Sequence, residues 1–157
     1  MLFRSSPSHL SPSVADSTFY KTFSEKSLTG YGAGRRSRIE QHRLALLQRF
    51  ATPPGIMFEI GPGHGTLGEL AVASGWDYTA VEASDILMDV LKKKGLKVIP
   101  AWTPPMPMAN DSANVVYADQ VLEHMRGIDD ARQFTAEARR CLKPGGIFFV
   151  EIGRAHV

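Results

Sequence analysis

An open, doubly wound α/β sheet is the architecture this sequence predicts, and three observations predict it. Short apolar runs alternate with segments of helical periodicity between residues 37 and 150. Those runs are apolar almost throughout, as parallel strands covered on both faces must be. The first run leads into a glycine cluster, where such sheets carry a ligand loop.

The elements follow in order. Ile39, Leu46, Leu47 and Phe50 recur at helical spacing and predict a helix over 37–50, ended by Pro53-Pro54-Gly55. Ile56 to Ile60 is short and apolar and predicts a buried first strand. A helix from Leu67 to about Ala73 is expected next, ended by Gly75. Tyr78 to Val81 is the second strand. The helix over 85–94, with Ile86, Leu87, Val90 and Leu91 inward, closes at Gly95. Leu96 to Ile99 is the third strand. Residues 100–108 hold four prolines and predict an irregular loop, because proline withholds a ladder donor. Val115 to Ala118 is the fourth strand. A helix over 129–142 turns Phe134, Ala138 and Leu142 inward. Pro144-Gly145-Gly146 then turns the chain into a fifth strand, Ile147 to Val150.

Composition bounds the remaining classes. The 157 residues are 43% hydrophobic and 22% charged, which fits one globular domain and argues against a disordered chain or a coiled coil. Nothing approaches the roughly 18 consecutive apolar residues of a membrane span, and the start has no secretory apolar segment. Cys141 is the one cysteine, so neither an internal disulfide nor a multi-cysteine zinc site is possible, and a cytoplasmic setting is expected. The net charge of +2 divides into +5 over residues 1–50 and −3 over the rest. No aromatic-interleaved basic stripe points to nucleic acid. Residues 1–18 are rich in Ser and Pro and predict a disordered arm.

The chemical signal lies in Glu59-Ile60-Gly61-Pro62-Gly63-His64-Gly65, between the first strand and the next helix. Glycines there let the backbone approach a ligand closely, and amides at the helix start offer hydrogen bonds. Gly63, Gly65 and Gly68 also satisfy the G-x-G-x-x-G pattern of dinucleotide enzymes, so spacing alone leaves the ligand open. Glu82 follows the second strand, about 20 residues on, where a ribose-binding carboxylate belongs. Such a carboxylate accepts from both ribose hydroxyls and repels a 2′-phosphate, which favours an adenosine-type ligand.

Four stretches together resemble the class I S-adenosylmethionine-dependent methyltransferases, of the small-molecule, type 11-like group. They are the acid-led glycine loop, Val81-Glu82-Ala83-Ser84, the run from Asn110 to Met125, and Leu142-Lys143-Pro144-Gly145-Gly146. The resemblance covers about residues 40–151 and implies a Rossmann-like, mainly parallel sheet. By its implication, Glu59 and the backbone of Gly61, Gly63 and Gly65 hold the methionine part of the cofactor. Glu82 takes the ribose hydroxyls, Ser84, Asp85 and Ile86 lie beside adenine or ribose, and Asp119 and Gln120 line the methionine end. Glu123 and His124 fall where the family contacts its acceptor or removes a proton, although His124 could equally serve only the local fold. Two departures stand out. Ala101-Trp102-Thr103 replaces the family's acid after strand three, so adenine is expected to stack on Trp102. Ala113-Asn114 replaces its Phe-Asp before strand four.

Several features keep two readings. His64 is expected to shape the loop rather than act as a base. Tyr31, among Gly30, Gly32 and Gly34, is either a lid or a residue of a mobile loop. Arg35, Arg36 and Arg38 either grip an anion or begin a solvated helix. Met106 and Met108 either line an adaptable pocket or fill the core. No metal-ligand spacing and no nucleophile elbow occurs.

The expected organisation is therefore an arm over 1–18, an S-adenosylmethionine-binding methyltransferase domain over 19–151, and a tail over 152–157. The family's sheet has seven strands and five are present, so the domain is expected to be incomplete at its C-terminus. The tail resembles the translation of a sequencing adapter and is expected to be foreign to the fold. The function expected is methyl transfer from S-adenosyl-L-methionine to a small-molecule acceptor, without nucleic acid, metal or membrane. The alternatives are an NAD- or FAD-linked oxidoreductase using Gly63, Gly65 and Gly68, or a non-catalytic cofactor-binding fragment.

Overall fold

A computed structural model describes residues 31–153, with side chains from residue 34; the predicted arm and residues 154–157 lie outside the described residues. Five strands form one sheet: β1 (Ile56–Ile60), β2 (Asp77–Glu82), β3 (Lys97–Pro100), β4 (Ala113–Asp119) and β5 (Leu142–Glu151). Their order is β3-β2-β1-β4-β5, and every pairing is parallel. Among the described residues four α-helices flank it: α1 (Tyr31–Leu47), α2 (Thr66–Ala73), α3 (Asp85–Lys93) and α4 (Ile128–Cys141). The doubly wound prediction is borne out. The switch in strand order falls between β1 and β4, so the loops after β1, β2 and β4 open onto one edge.

The two faces of the sheet bury different side chains. Met57, Tyr78, Ala80, Val115 and Tyr117 pack with Leu44 and Leu47 of α1, Leu67 and Ala71 of α2, and Leu91. Ile60, Val81, Val116 and Ala118 pack with Phe134, Ala138 and Cys141 of α4 and with Met106 and Met108. The two methionines are thus core, the second of their predicted alternatives. Arg140 anchors their proline-rich loop. It donates to the carbonyls of Met106 and Met108 at 2.9 Å each and to Asn110 Oδ1 at 2.8 Å, while Glu137 accepts the Met106 amide at 3.0 Å.

Several boundaries and faces differ from the predictions. The first described helix starts at Tyr31, so Gly32 and Gly34 lie in helical turns rather than a loop, while Gly30 lies outside the described residues. It ends at Leu47, and Ile39 (41% exposed) and Phe50 (67% exposed) are not inward. Its buried side is Glu40, Leu44 and Leu47, with Arg36 and Arg43 partly buried beside them. In α3 the buried side chains are Leu87, Met88 and Leu91, with Ile86 and Val90 half-buried. Leu142 is the first residue of β5, and Cys141 takes its expected place on the inner side of α4. β5 pairs Leu142 with Ala113 but Ile147 with Val115, so Lys143 to Gly146 bulge out of the ladder where the turn was predicted.

Candidate functional site

The carboxyl ends of β1, β2 and β4 bring together most of the residues singled out in the sequence. β1 delivers Glu59, which is 5% exposed and accepts the Tyr78 hydroxyl at 2.5 Å. Burial pushes its carboxyl up to about 8, although the Tyr78 bond favours the charged form; Glu40 and Asp119 push the same way as burial. The loop beyond it is tied to β2, because the Gly61 amide donates to Val81 O at 3.0 Å. That bond sets the glycine loop beside Glu82.

The glycines of the loop divide into two kinds. Gly65 has φ 70°, and a Cβ there would lie 2.5 Å from Leu91 and 2.7 Å from Leu96. Its amide donates to Pro62 O at 2.9 Å. Gly65 therefore faces the core and closes the turn. Gly63, at φ 54°, has open space where its Cβ would stand. Gly68 answers to packing as well, since a Cβ would meet the Tyr78 ring at 2.6 Å. The bulk of Tyr78, which partners Glu59, thus explains the third glycine of the dinucleotide-like pattern.

Glu82 ends β2 with Oε1 accepting the amides of Ala83 and Ser84 at 2.8 Å each. These bonds fix the carboxylate through Oε1. Burial raises its pKa, and the two amides oppose that shift. Ser84, 3% exposed, has a buried hydroxyl with no hydrogen-bond partner. The Ala101 amide donates to Glu82 O at 3.0 Å, which fixes the start of the loop bearing Trp102, 39% exposed. Asp85 is exposed and Ile86 half-buried at the start of α3.

At the end of β4, Asp119 meets a partner that the sequence did not suggest. Arg43 of α1 forks onto it, with Nη1 to Oδ2 at 2.8 Å and Nη2 to Oδ1 at 3.2 Å. Arg43 also binds Glu40 at 2.9 Å and Glu151 at 2.6 Å. Burial raises Asp119 to about 6, against the pull of Arg43 and with the push of Glu151 and Glu40. Gln120 follows at φ 54° and donates its amide to Glu151 O at 2.8 Å. Glu40, Arg43 and Glu151 were missed because each reads singly as a solvated surface charge. The one available signal was that Glu40, Leu44 and Leu47 share a helical stripe.

The short 3₁₀ turn Leu122–His124 holds the two candidate proton acceptors. Glu123 Oε1 accepts the Gly153 amide at 3.0 Å, while its Oε2 is buried without a partner. His124 is exposed, and His64 is 4% exposed within the glycine loop. Arg35 and Arg38 are exposed, whereas Arg36 reaches Glu59 and Asp119 with its field. Among the described residues, no His, Cys, Asp and Glu group could hold a metal ion, and no helix is long and apolar enough to cross a membrane.

The arrangement fits a nucleoside carrying an amino-acid tail. An orphaned Ser84 hydroxyl and an uncommitted Glu82 oxygen call for ligand hydroxyls, and open space at Gly63 lets a ligand lie against main chain. A family profile described as a methyltransferase domain matches residues 58–150. No curated protein matches the sequence. Among solved structures, a protein from Methanococcus maripaludis, assigned as an S-adenosyl-L-methionine-dependent methyltransferase, superposes with a TM-score of 0.69 at 20% identity, covering 87% of this chain and 63% of that one. The PH0226 protein from Pyrococcus horikoshii OT3 gives 0.67 at 21% identity, over 78% and 58% of the two chains. The glycopeptide N-methyltransferase MtfA, complexed with sinefungin, gives 0.58 at 19% identity, over 71% and 52%. The chain thus spans less than two thirds of the length of each of these structures, and at these identities the likeness is one of fold.

Proposed function

The chain belongs to the methyltransferase domain family, and from that premise we propose that it binds S-adenosyl-L-methionine and passes the methyl group to a small-molecule acceptor. The observation that carries this reading is the Gly61–Val81 bond, which joins the open Gly63 turn to Glu82 and Ser84. In this reading Glu82 Oε2 and Ser84 Oγ take the ribose, Trp102 stacks on adenine, and Gly61 and Gly63 support the methionine end. Glu59 holds the loop from beneath through Tyr78, and Asp119 and Gln120 bound the same end from β4. Gly65 contributes by closing the turn, since its amide is already engaged.

The cofactor, when bound, supplies an electrophilic methyl on a sulfonium centre, so the protein's work is alignment and exclusion of water. Glu123 Oε2, buried without a donor, is the group suited to receive an acceptor's proton, and exposed His124 beside it can pass that proton to solvent. No finding favours an oxidoreductase.

Calorimetric titration of S-adenosylmethionine, S-adenosylhomocysteine and NAD tests the reading. Binding of the first two and not NAD is expected, with Glu82→Ala weakening both by tenfold or more while the fold is retained. NAD binding, or titrations flat for all three, overturns it. Binding without methyl transfer to any acceptor marks the chain as a cofactor-binding module alone.

A further inference from the structure

A groove of about 810 Å³ runs along the outer side of α4 and shares no residue with the candidate site. α4 turns Phe134, Ala138 and Cys141 to the sheet, and Ile128, Ala131, Arg132, Thr135, Ala136 and Arg139 line the groove from its other side. Ile128 is 66% exposed, a large apolar surface left in water. The groove is less polar than its composition suggests. Thr135 Oγ1 donates to Ala131 O at 2.8 Å, which spends the hydroxyl hydrogen within the helix. Arg140 is spent on Glu137, Asn110 and the carbonyls of Met106 and Met108.

The charge of α4 changes sign along its length. Asp129 and Asp130 stand in the first turn, Arg139 and Arg140 in the last. Asp129 Oδ1 accepts from Arg132 at 3.1 Å, but the side chains are 91% and 72% exposed, so the pair is weak and Oδ2 stays in solvent. Arg139 is exposed and makes no ion pair among the described residues. Asp111, the acid on the opposite wall, lies beside Arg140, its amide donating to the Arg140 carbonyl at 3.0 Å.

A helix acidic at one end and basic at the other complements a copy of itself laid antiparallel. The lining residues pair about a single midpoint in that arrangement: where Ile128 meets Arg139 of the copy, Ala131 meets Ala136 and Arg132 meets Thr135. We propose that the groove is a self-association face, occupied by α4 of a second copy of this chain in a two-fold, antiparallel pair. Ile128 then covers the aliphatic stem of the second copy's Arg139, whose guanidinium reaches Asp129. Ala131 and Ala136 meet near the centre and admit the axial approach of about 8–10 Å of packed helices. The opposed macrodipoles favour the same direction. Two 14-residue helices bury less than the roughly 1,200–2,000 Å² of stable complexes, so the pair is weak and concentration-dependent.

Sedimentation equilibrium of the full chain over a wide concentration range, with amide chemical shifts recorded alongside, tests this. A monomer–dimer equilibrium is expected, with concentration-dependent shifts centred on Ala131, Thr135 and Ala136. Each contact occurs twice across the two-fold, so Arg139→Glu and Asp129→Arg are each expected to weaken association about tenfold. Mixed in equal amounts, the two variants are expected to associate within about threefold of the parent, because the mixed pair holds one original and one reversed ion pair. Both positions are exposed, and circular dichroism is expected to show the helix content kept. A chain monomeric throughout overturns the proposal, as does association that leaves the α4 shifts unmoved or ignores both reversals. Failure of the mixture to recover would overturn it too, since the antiparallel pairing of Asp129 with Arg139 is what it asserts.

Discussion

Glu59 illustrates how a single side chain ties stability to pH. Its carboxyl, ordinarily near 4.5, stands at about 8 in the fold because burial disfavours its charge. The folded state therefore holds a proton that the unfolded chain releases between those two values. Stability from the neutral carboxyl is complete below about 4.5 and is lost as pH rises through 8, at no more than about 1.4 kcal/mol per pH unit. Asp119, raised to about 6, adds the same sign of slope at lower pH. Melting temperature without ligand is expected to fall between pH 5 and pH 9. Glu59→Gln, whose amide oxygen can still accept from Tyr78, should flatten most of that fall and melt higher than the parent at pH 9. Scanning calorimetry across that range is the check; an unchanged slope would place the proton elsewhere.

At the scale of elements, the glycine loop and α1 are shaped by what they pack against. Gly65→Ala brings a Cβ to 2.5 Å from Leu91 at a left-handed φ of 70° and is expected to cost about 2–4 kcal/mol in denaturant unfolding. Gly63→Ala, also left-handed but facing open space, should cost nearer 1 kcal/mol yet weaken S-adenosylhomocysteine binding by tenfold or more. If both variants lose stability equally and bind normally, the loop is only a turn. The sequence already marked this loop, since a glycine cluster between an apolar strand and a helix has few other uses. It did not separate the core-facing glycine from the one facing open space, because that depends on where Leu91 of α3, Leu96 beyond it and Tyr78 of β2 arrive. The face of α1 was misread for a related reason. Hydrophobicity pointed to Ile39 and Phe50, but the sheet beneath changes from Met57 and Val115 to Glu59 and Asp119 along its strands. A helix crossing that change buries leucines at one end and Glu40 with Arg43 at the other.

For the molecule as a whole, the consequence of the sheet order is an unpaired margin. Among the described residues β5 has a strand neighbour on one side only, and Val150 (38% exposed) lies along it with Ile152 (63% exposed) just beyond. Exposed apolar strand edges template association. Apparent mass by light scattering is expected to rise with concentration, and Val150→Lys should reduce that rise with little loss of stability. A chain monodisperse at every concentration would show the margin to be protected.

What the sequence by itself determined is the local grammar: strand, glycine loop, helix and acid in an order that leaves one sheet type and one ligand edge. Periodicity and turn chemistry are properties of neighbours in the chain, so the five strands, the inward side of α4 and the pairing of the loop with Glu82 were legible. Only the tertiary structure decided which charges share a chamber. Arg43 meets Asp119 and Glu151 across 76 and 108 residues, a contact no local pattern encodes. Burial then raised the proton affinities of Asp119 and Glu59, because a charge is expensive only once water has been removed from around it.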